Sequence, residues 1–291
     1  FVAAGVPVLG IDPAPGPAAA AVETGVPTRV DFFGREVARA VVAEQGRADV
    51  IIANNVMAHV SDLDDFVGGM KILLADDGVI TVENPSVREL IDHVEFDTVY
   101  HEHVCYYSCT AVRNLMASHG LYLNHVEFFG DLHGGTLRWH IGHHDDPSAE
   151  ARAFLADEAE RGVDGFAYYE TFGQRVETLR SRLLDLLRQL KADGSTVAAY
   201  GAAAKGATML NYCGIGTDLV DYVVDRNVHK QGLLMPGTHQ PIEDPSVLLE
   251  RQPDHVLVLA WNFADEIMRQ QDEYRRRGGR FIVPIPTPVV V

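Results

Sequence analysis

Val6-Pro7-Val8-Leu9-Gly10-Ile11-Asp12, Val50-Ile51-Ile52-Ala53-Asn54-Asn55 and Val79-Ile80-Thr81-Val82-Glu83 decide the fold. Each is a short apolar run without polar alternation, the pattern of a strand buried on both faces, and each ends on a polar residue. Residues 17–25, 35–45 and 63–74 carry helical spacing and composition. Strands at 6–11, 50–53 and 79–83 interleaved with those helices predict a parallel sheet covered on both sides. Farther along, a helix over 109–119 precedes strands at 122–129 and 136–141, which would pair across His133-Gly134-Gly135 and close this sheet.

Residues from about 145 to 191 are charged and periodic, which predicts helices joining two domains. The alternation resumes after Ser195 with a strand at 196–200, a helix at 205–213 and strands at 219–225, 256–259 and 280–284. The expected fold is α/β, two doubly wound Rossmann-like domains over 1–145 and 195–291 joined by a helical linker over 146–194. Phe1-Val2-Ala3-Ala4-Gly5 reads as the last turn of a helix ending on glycine, so the first domain is expected to be truncated at its N-terminus.

The length of 291 residues and the 47% apolar content suffice for two cores. A formal net charge of −17 argues against a protein that wraps nucleic acid and favours a small-molecule partner. Cys105, Cys109 and Cys213 form no paired framework, which points to a reducing cytoplasm. No apolar run reaches the roughly 18 residues of a membrane span, and no signal-peptide pattern opens the chain; a soluble protein is expected.

Asp12 falls at the tip of the first strand, where a carboxylate can take ribose hydroxyls, or simply start a turn with Pro13. A glycine-rich cofactor turn would stand roughly 20 residues earlier in such a fold. Asn54, Asn55 and His59 follow the next strand at the sheet edge that binds ligands, although either asparagine also suits a helix N-cap. Tyr100-His101-Glu102-His103, with Tyr106 close behind, concentrates acid–base groups in a polar loop. An extended chain would put His101 and His103 on one face; a helical turn would bring Tyr100 to His103. A two-histidine, one-carboxylate metal site competes here with a histidine general base, and the lack of further ligands favours the base and no metal.

Beyond the turn His133-Gly134-Gly135, Arg138 is a candidate substrate contact, though most such turns are plain hairpins. Tyr200-Gly201-Ala202-Ala203-Ala204-Lys205-Gly206 links a strand to a helix; Lys205 beside its amides suits an anion, while tight packing explains the alanines equally. Asp225 falls where a ribose or base contact would lie.

These motifs, in this order, resemble the sugar C-methyltransferases that branch deoxysugars in antibiotic biosynthesis, and most nearly those acting at C-3' in D-tetronitrose formation. The resemblance implies S-adenosylmethionine as cofactor, S-adenosylhomocysteine as product and a nucleotide-diphosphate sugar as substrate, with zinc only in an N-terminal cysteine module that this sequence lacks. It implies His103 as base, Tyr100 and Glu102 assisting, His59 near the sugar, and Asp12 on the cofactor ribose. Asn54 and Asn55 are the other cofactor candidates; His101, Tyr106, Arg138, Lys205 and Asp225 are the substrate candidates. The rival expectations are an NAD-dependent nucleotide-sugar oxidoreductase and a non-catalytic nucleotide-sugar-binding relic.

Overall fold

The computed structural model describes residues 1–130 and 134–291, so His133 of the expected hairpin turn lies outside the described residues. The chain forms two compact units. One is Phe1–Asn84, Tyr107–Phe128 and Leu137–Glu160; the other is Pro85–Tyr106, Phe129–Thr136 and Arg161–Val291. The division departs from the expected one in two places. Residues 85–106, with the Tyr-His-Glu-His segment, belong to the C-terminal unit, and the expected linker is shared between the two.

In the first unit, β1 (Gly10–Ile11) pairs in parallel with β2 (Thr28–Arg29) around helix α1 (Pro15–Glu23), and these two strands form a sheet of their own. The strand expected over 6–11 is therefore short. Pro7 and Pro27 have no N–H to donate, so the ladder runs only from the Gly10 N–H on the Pro27 carbonyl (2.8 Å) to the Asp12 N–H on the Arg29 carbonyl (3.1 Å). The 3-10 turn Val2–Ala4 ends on Gly5 in the left-handed region, as expected for a glycine-terminated turn.

The remaining strands, β3 (Ala48–Asn54), β4 (Leu74–Pro85), β5 (Tyr122–Phe129) and β6 (Thr136–Gly142), lie in the order β3-β4-β6-β5. Strands β5 and β6 are neighbours, as their sequence suggested. The parallel register of β3 on β4 sets Asn54 opposite Glu83. Helices α2 (Arg35–Gln45) and α3 (Leu63–Leu73) flank this sheet, and a side chain at Gly69 would stand 2.7 Å from the Gly34 carbonyl carbon, so their close approach requires glycine. Helix α4 (Val87–His93) was not expected; α5 (Cys109–Ser118) was.

The second unit holds a six-stranded sheet of β7 (Val197–Tyr200), β8 (Val223–Val224), β9 (Ile242–Glu243), β10 (His255–Val258), β11 (Arg280–Val283) and β12 (Val289–Val290). Its order is β12-β11-β10-β7-β8-β9, parallel except for β12. Successive residues enter opposite cores. Val197, Ala199, Leu257 and Ile282 pack on one face with the helical residues Val176, Leu179, Leu183 and Leu187; Ala198, Tyr200, Val256 and Phe281 pack on the other. Both faces are covered, which is the physical content of a doubly wound sheet.

Helices α6 (Ala149–Arg161), α7 (Phe166–Tyr169) and α8 (Phe172–Ala192) fill the expected linker, but α8 is a core helix of this unit because its apolar stripe recurs with helical period. The strand expected over 219–225 contracts to Val223–Val224. Leu219 and Val220 are buried as turn residues whose N–H groups go to the Gly216 carbonyl. Between β7 and β10 the chain order reverses, so the loops at their carboxyl ends open a crevice. Gly201 stands there with φ +103°, and a Cβ on it would lie 2.9 Å from that of Ala260. Among the described residues no helix is long and apolar enough to cross a membrane.

Candidate active site

The segment 94–106 is built from a strained start. Helix α4 ends on Val94 with φ 59° and ψ 43°, a left-handed conformation that a β-branched residue adopts only under constraint. A 3-10 turn, Phe96–Thr98, follows; Thr98 bonds back to the Glu95 carbonyl through its N–H at 3.2 Å and its hydroxyl at 2.8 Å. All five residues from Val94 to Thr98 are buried.

A second turn closes on the Tyr100 carbonyl through the His103 N–H, 3.0 Å away. The turned alternative thus holds, and Tyr100 meets His103: the Tyr100 Oη lies 3.2 Å from His103 Nε2, with the rings 4.2 Å apart. The other ring nitrogen, Nδ1, lies 3.0 Å from the Thr98 carbonyl oxygen. A carbonyl only accepts, so this contact puts the proton on Nδ1 and leaves Nε2 as the basic nitrogen of the neutral ring. Burial, with the Glu102 and Asp97 charges, raises the Tyr100 phenol above its ordinary value, so it remains a donor to Nε2 at neutral pH. Tyr106 stands edge-on to His103 at 6.1 Å, while His101 and Glu102 are exposed.

A cluster that sequence reasoning missed lies in the same unit. Asp97, fully buried, accepts a 2.8 Å hydrogen bond from Trp261 Nε1. Lys205 lies 4.4 Å over the Trp261 ring and donates to Asn262 Oδ1 at 2.8 Å. Burial pushes Glu95 up to about 8 and Asp97 to about 6, each opposed by Lys205. Burial likewise lowers Lys205, opposed by Asp97 and Glu95. Lys205 is thus committed to internal partners at the start of α9 (Ala204–Cys213), in the crevice between β7 and β10. Asp225 closes the same loop, accepting from the N–H groups of Ala202 and Asn227, both at 2.7 Å.

In the first unit, polar groups gather at the carboxyl ends of parallel strands. One Asp12 oxygen accepts the Ala14 N–H at 2.8 Å, the turn its sequence allowed. Asn54, Asn55 and His59 are exposed. Neither asparagine caps a helix: the 3-10 turn Met57–His59 has Val56 before it, and Asn55 takes φ 54°, which its short amide side chain tolerates, while its N–H goes to the Glu83 carbonyl at 2.7 Å. Arg138 pairs with buried Glu83 at 2.8 Å and lies 3.6 Å from Glu127. A hydrogen bond from His140 holds the Glu127 carboxyl below the usual range. Among the described residues no group of three or more His, Cys, Asp or Glu could hold a metal ion.

Residues 131–286 match the C-methyltransferase C-terminal domain family, and residues 1–126 match a methyltransferase domain family. The C-methyltransferase NovU of Streptomyces niveus is 38% identical over 295 residues, covering 100% of this chain and 70% of that protein. This chain belongs to the C-methyltransferases.

Two solved structures described as S-adenosylmethionine-dependent methyltransferases are similar at lower levels. One, from Thermotoga maritima, has a TM-score of 0.36 and 13% identity, covering 47% of this chain and 73% of that one. The other, from Anabaena variabilis, has a TM-score of 0.36 and 15% identity, covering 47% and 68%. The C-methyltransferase is an S-adenosylmethionine-dependent enzyme with a Rossmann-like α/β fold, and the oxidoreductase alternative gives way to it. The first unit offers residues that fit this donor. Asn84, at the end of β4, is 1% exposed, yet among the described residues neither its amide nitrogen nor its amide oxygen has a hydrogen-bond partner. It was missed in the sequence, where Glu83-Asn84 at a strand tip is the same signal as Asn54-Asn55.

Proposed function

We propose that this C-methyltransferase acts on a nucleotide-linked 4-keto-deoxysugar and places the new methyl group at C-3. The observation that carries the reading is the fixed tautomer of His103: Nδ1–H on the Thr98 carbonyl and Nε2 presented as base beside a phenol. A carbon next to a ketone is acidic enough for an imidazole to deprotonate when the resulting enolate oxygen is stabilised. His103 Nε2 takes that proton, the C–H electrons pass to the ketone oxygen, and Tyr100 turns its hydroxyl from Nε2 to that oxygen. The enolate carbon is then the nucleophile.

Asp12, Asn54, Asn55 and Asn84 would hold the donor, which when bound supplies an electrophilic methyl group. Glu102, exposed beside His103, would assist in carrying the proton away, and His59, His101, Tyr106 and Arg138 would contact the sugar. Lys205 and Asp225 line the crevice suited to the nucleotide, acting through the loop geometry that they maintain. The three unpaired cysteines and the acidic surface support a cytoplasmic setting and a small-molecule partner.

Substitution His103→Asn should reduce methyl transfer to a panel of nucleotide-linked keto-sugars by about 10²–10⁴-fold, the usual worth of a general base, while S-adenosylhomocysteine still binds by calorimetry. Turnover at the unsubstituted rate removes His103 as base.

A further inference from the structure

We infer that Asp97, clamped by Trp261, is a positioning residue for His103. The inference rests on His103 as the base. Thr98, whose carbonyl fixes the His103 tautomer, is the next residue in the same 3-10 turn as Asp97. The turn has few ways to move: the Asp97 side chain is tied to Trp261 Nε1 at 2.8 Å, across 164 residues of chain, and the Phe96 ring lies 5.1 Å from that of Tyr212.

Trp261 is itself held. Lys205 covers its ring at 4.4 Å, and the Lys205 ammonium is fixed by Asn262. Several unfavourable features meet at this short stretch. Val94 takes a left-handed backbone, one oxygen of Asp97 and one of Glu95 are buried without a hydrogen-bond partner among the described residues, and Lys205 is desolvated. Apolar residues of similar size would fill this space without those penalties. What the polar cluster supplies instead is direction. The Trp261–Asp97 bond sets the turn, the turn aims the Thr98 carbonyl, and that carbonyl keeps the proton on Nδ1 and the lone pair on Nε2.

The discriminating pair is Trp261→Phe, which removes the Nε1 donor while keeping an aromatic face for Lys205, and Asp97→Asn, which keeps an acceptor for Trp261 and removes the charge. Nitrogen-15 NMR of the His103 ring in the full-length protein reads the tautomer without needing turnover. Trp261→Phe is expected to mix the Nε2–H form into the Nδ1–H form and to lower kcat by about tenfold, with KM for the sugar within about twofold. Asp97→Asn should retain the wild-type tautomer and most of kcat. Asp97→Ala should behave as Trp261→Phe; if it fails to fold, the tryptophan variant alone decides. An unchanged ring spectrum and unchanged kcat in Trp261→Phe overturn the positioning role. So does a loss confined to thermal stability, the mark of a purely structural contact. If His103→Asn remains active, the base assignment fails, whereas the ring spectrum still reports whether Trp261 sets the tautomer.

Discussion

Glu158 and Glu95 are buried one in each compact unit of this methyltransferase, and they are treated in opposite ways. Glu158, fully buried on α6, accepts the N–H groups of Cys109 and Thr110 and the Thr110 hydroxyl, all at 2.7 Å, and so satisfies the first turn of α5. Glu95, 2% exposed, leaves Oε1 without a hydrogen bond among the described residues, with His93 Nδ1 3.7 Å away, and burial pushes it from the ordinary 4.5 to about 8. A carboxylate that serves the fold is given donors; one that is left wanting them sits beside the residues proposed to do chemistry. The same contrast runs through the two units. Asn54, Asn55 and His59 stand exposed at a strand tip, whereas the five residues from Val94 to Thr98 are buried, and Val94 at least is strained.

The comparison can be broken. Glu158→Ala strips three hydrogen bonds to a charged acceptor from a buried helix start and should destabilise the protein by about 3 kcal/mol or more in urea unfolding. A loss much below 1 kcal/mol would deny Glu158 its structural role.

Glu95→Gln should do the reverse, with a pH signature. Because the folded-state pKa is raised, the contribution of Glu95 to stability is fully present below about 4.5 and is lost as pH rises through about 8. The glutamine variant escapes that decline. Its advantage should therefore grow from pH 5 to pH 9, reaching about 2 kcal/mol, and a flat difference would mean that Glu95 is ionised without penalty.

Tyr100→Phe sharpens the functional side of the contrast with the smallest expected effect. Removing one donor from the proposed oxyanion should lower kcat by about tenfold, with donor affinity unchanged, because the cofactor candidates lie on other elements. A larger rise in donor Kd than fall in kcat would transfer Tyr100 from chemistry to binding.

Much of this was legible in the sequence. Helix α2 spans the residues that its spacing marked, and the alternating cores of the second sheet follow from apolar runs without polar breaks. Strand lengths were less legible, since 6–11 and 219–225 are apolar enough to be strands but have partners over only part of their length. The Tyr-His-Glu-His motif stood out by composition, and the carboxyl-end rule pointed to Asn54 and Asn55 and applied equally to the overlooked Asn84. Trp261 and Asn262, by contrast, lie about 160 residues from Asp97 in a segment whose composition signals only an ordinary turn.

Local pattern by itself determined the α/β class, the order of most elements and the residues equipped for acid–base work, because periodicity and side-chain chemistry are properties of neighbours along the chain. Only the tertiary structure decided that Tyr100 meets His103, that the Thr98 carbonyl fixes the imidazole proton, and that Glu95 and Asp97 lose their water beside Lys205. Desolvation and hydrogen-bond direction depend on what the folded chain brings from far away, and no window of sequence contains them.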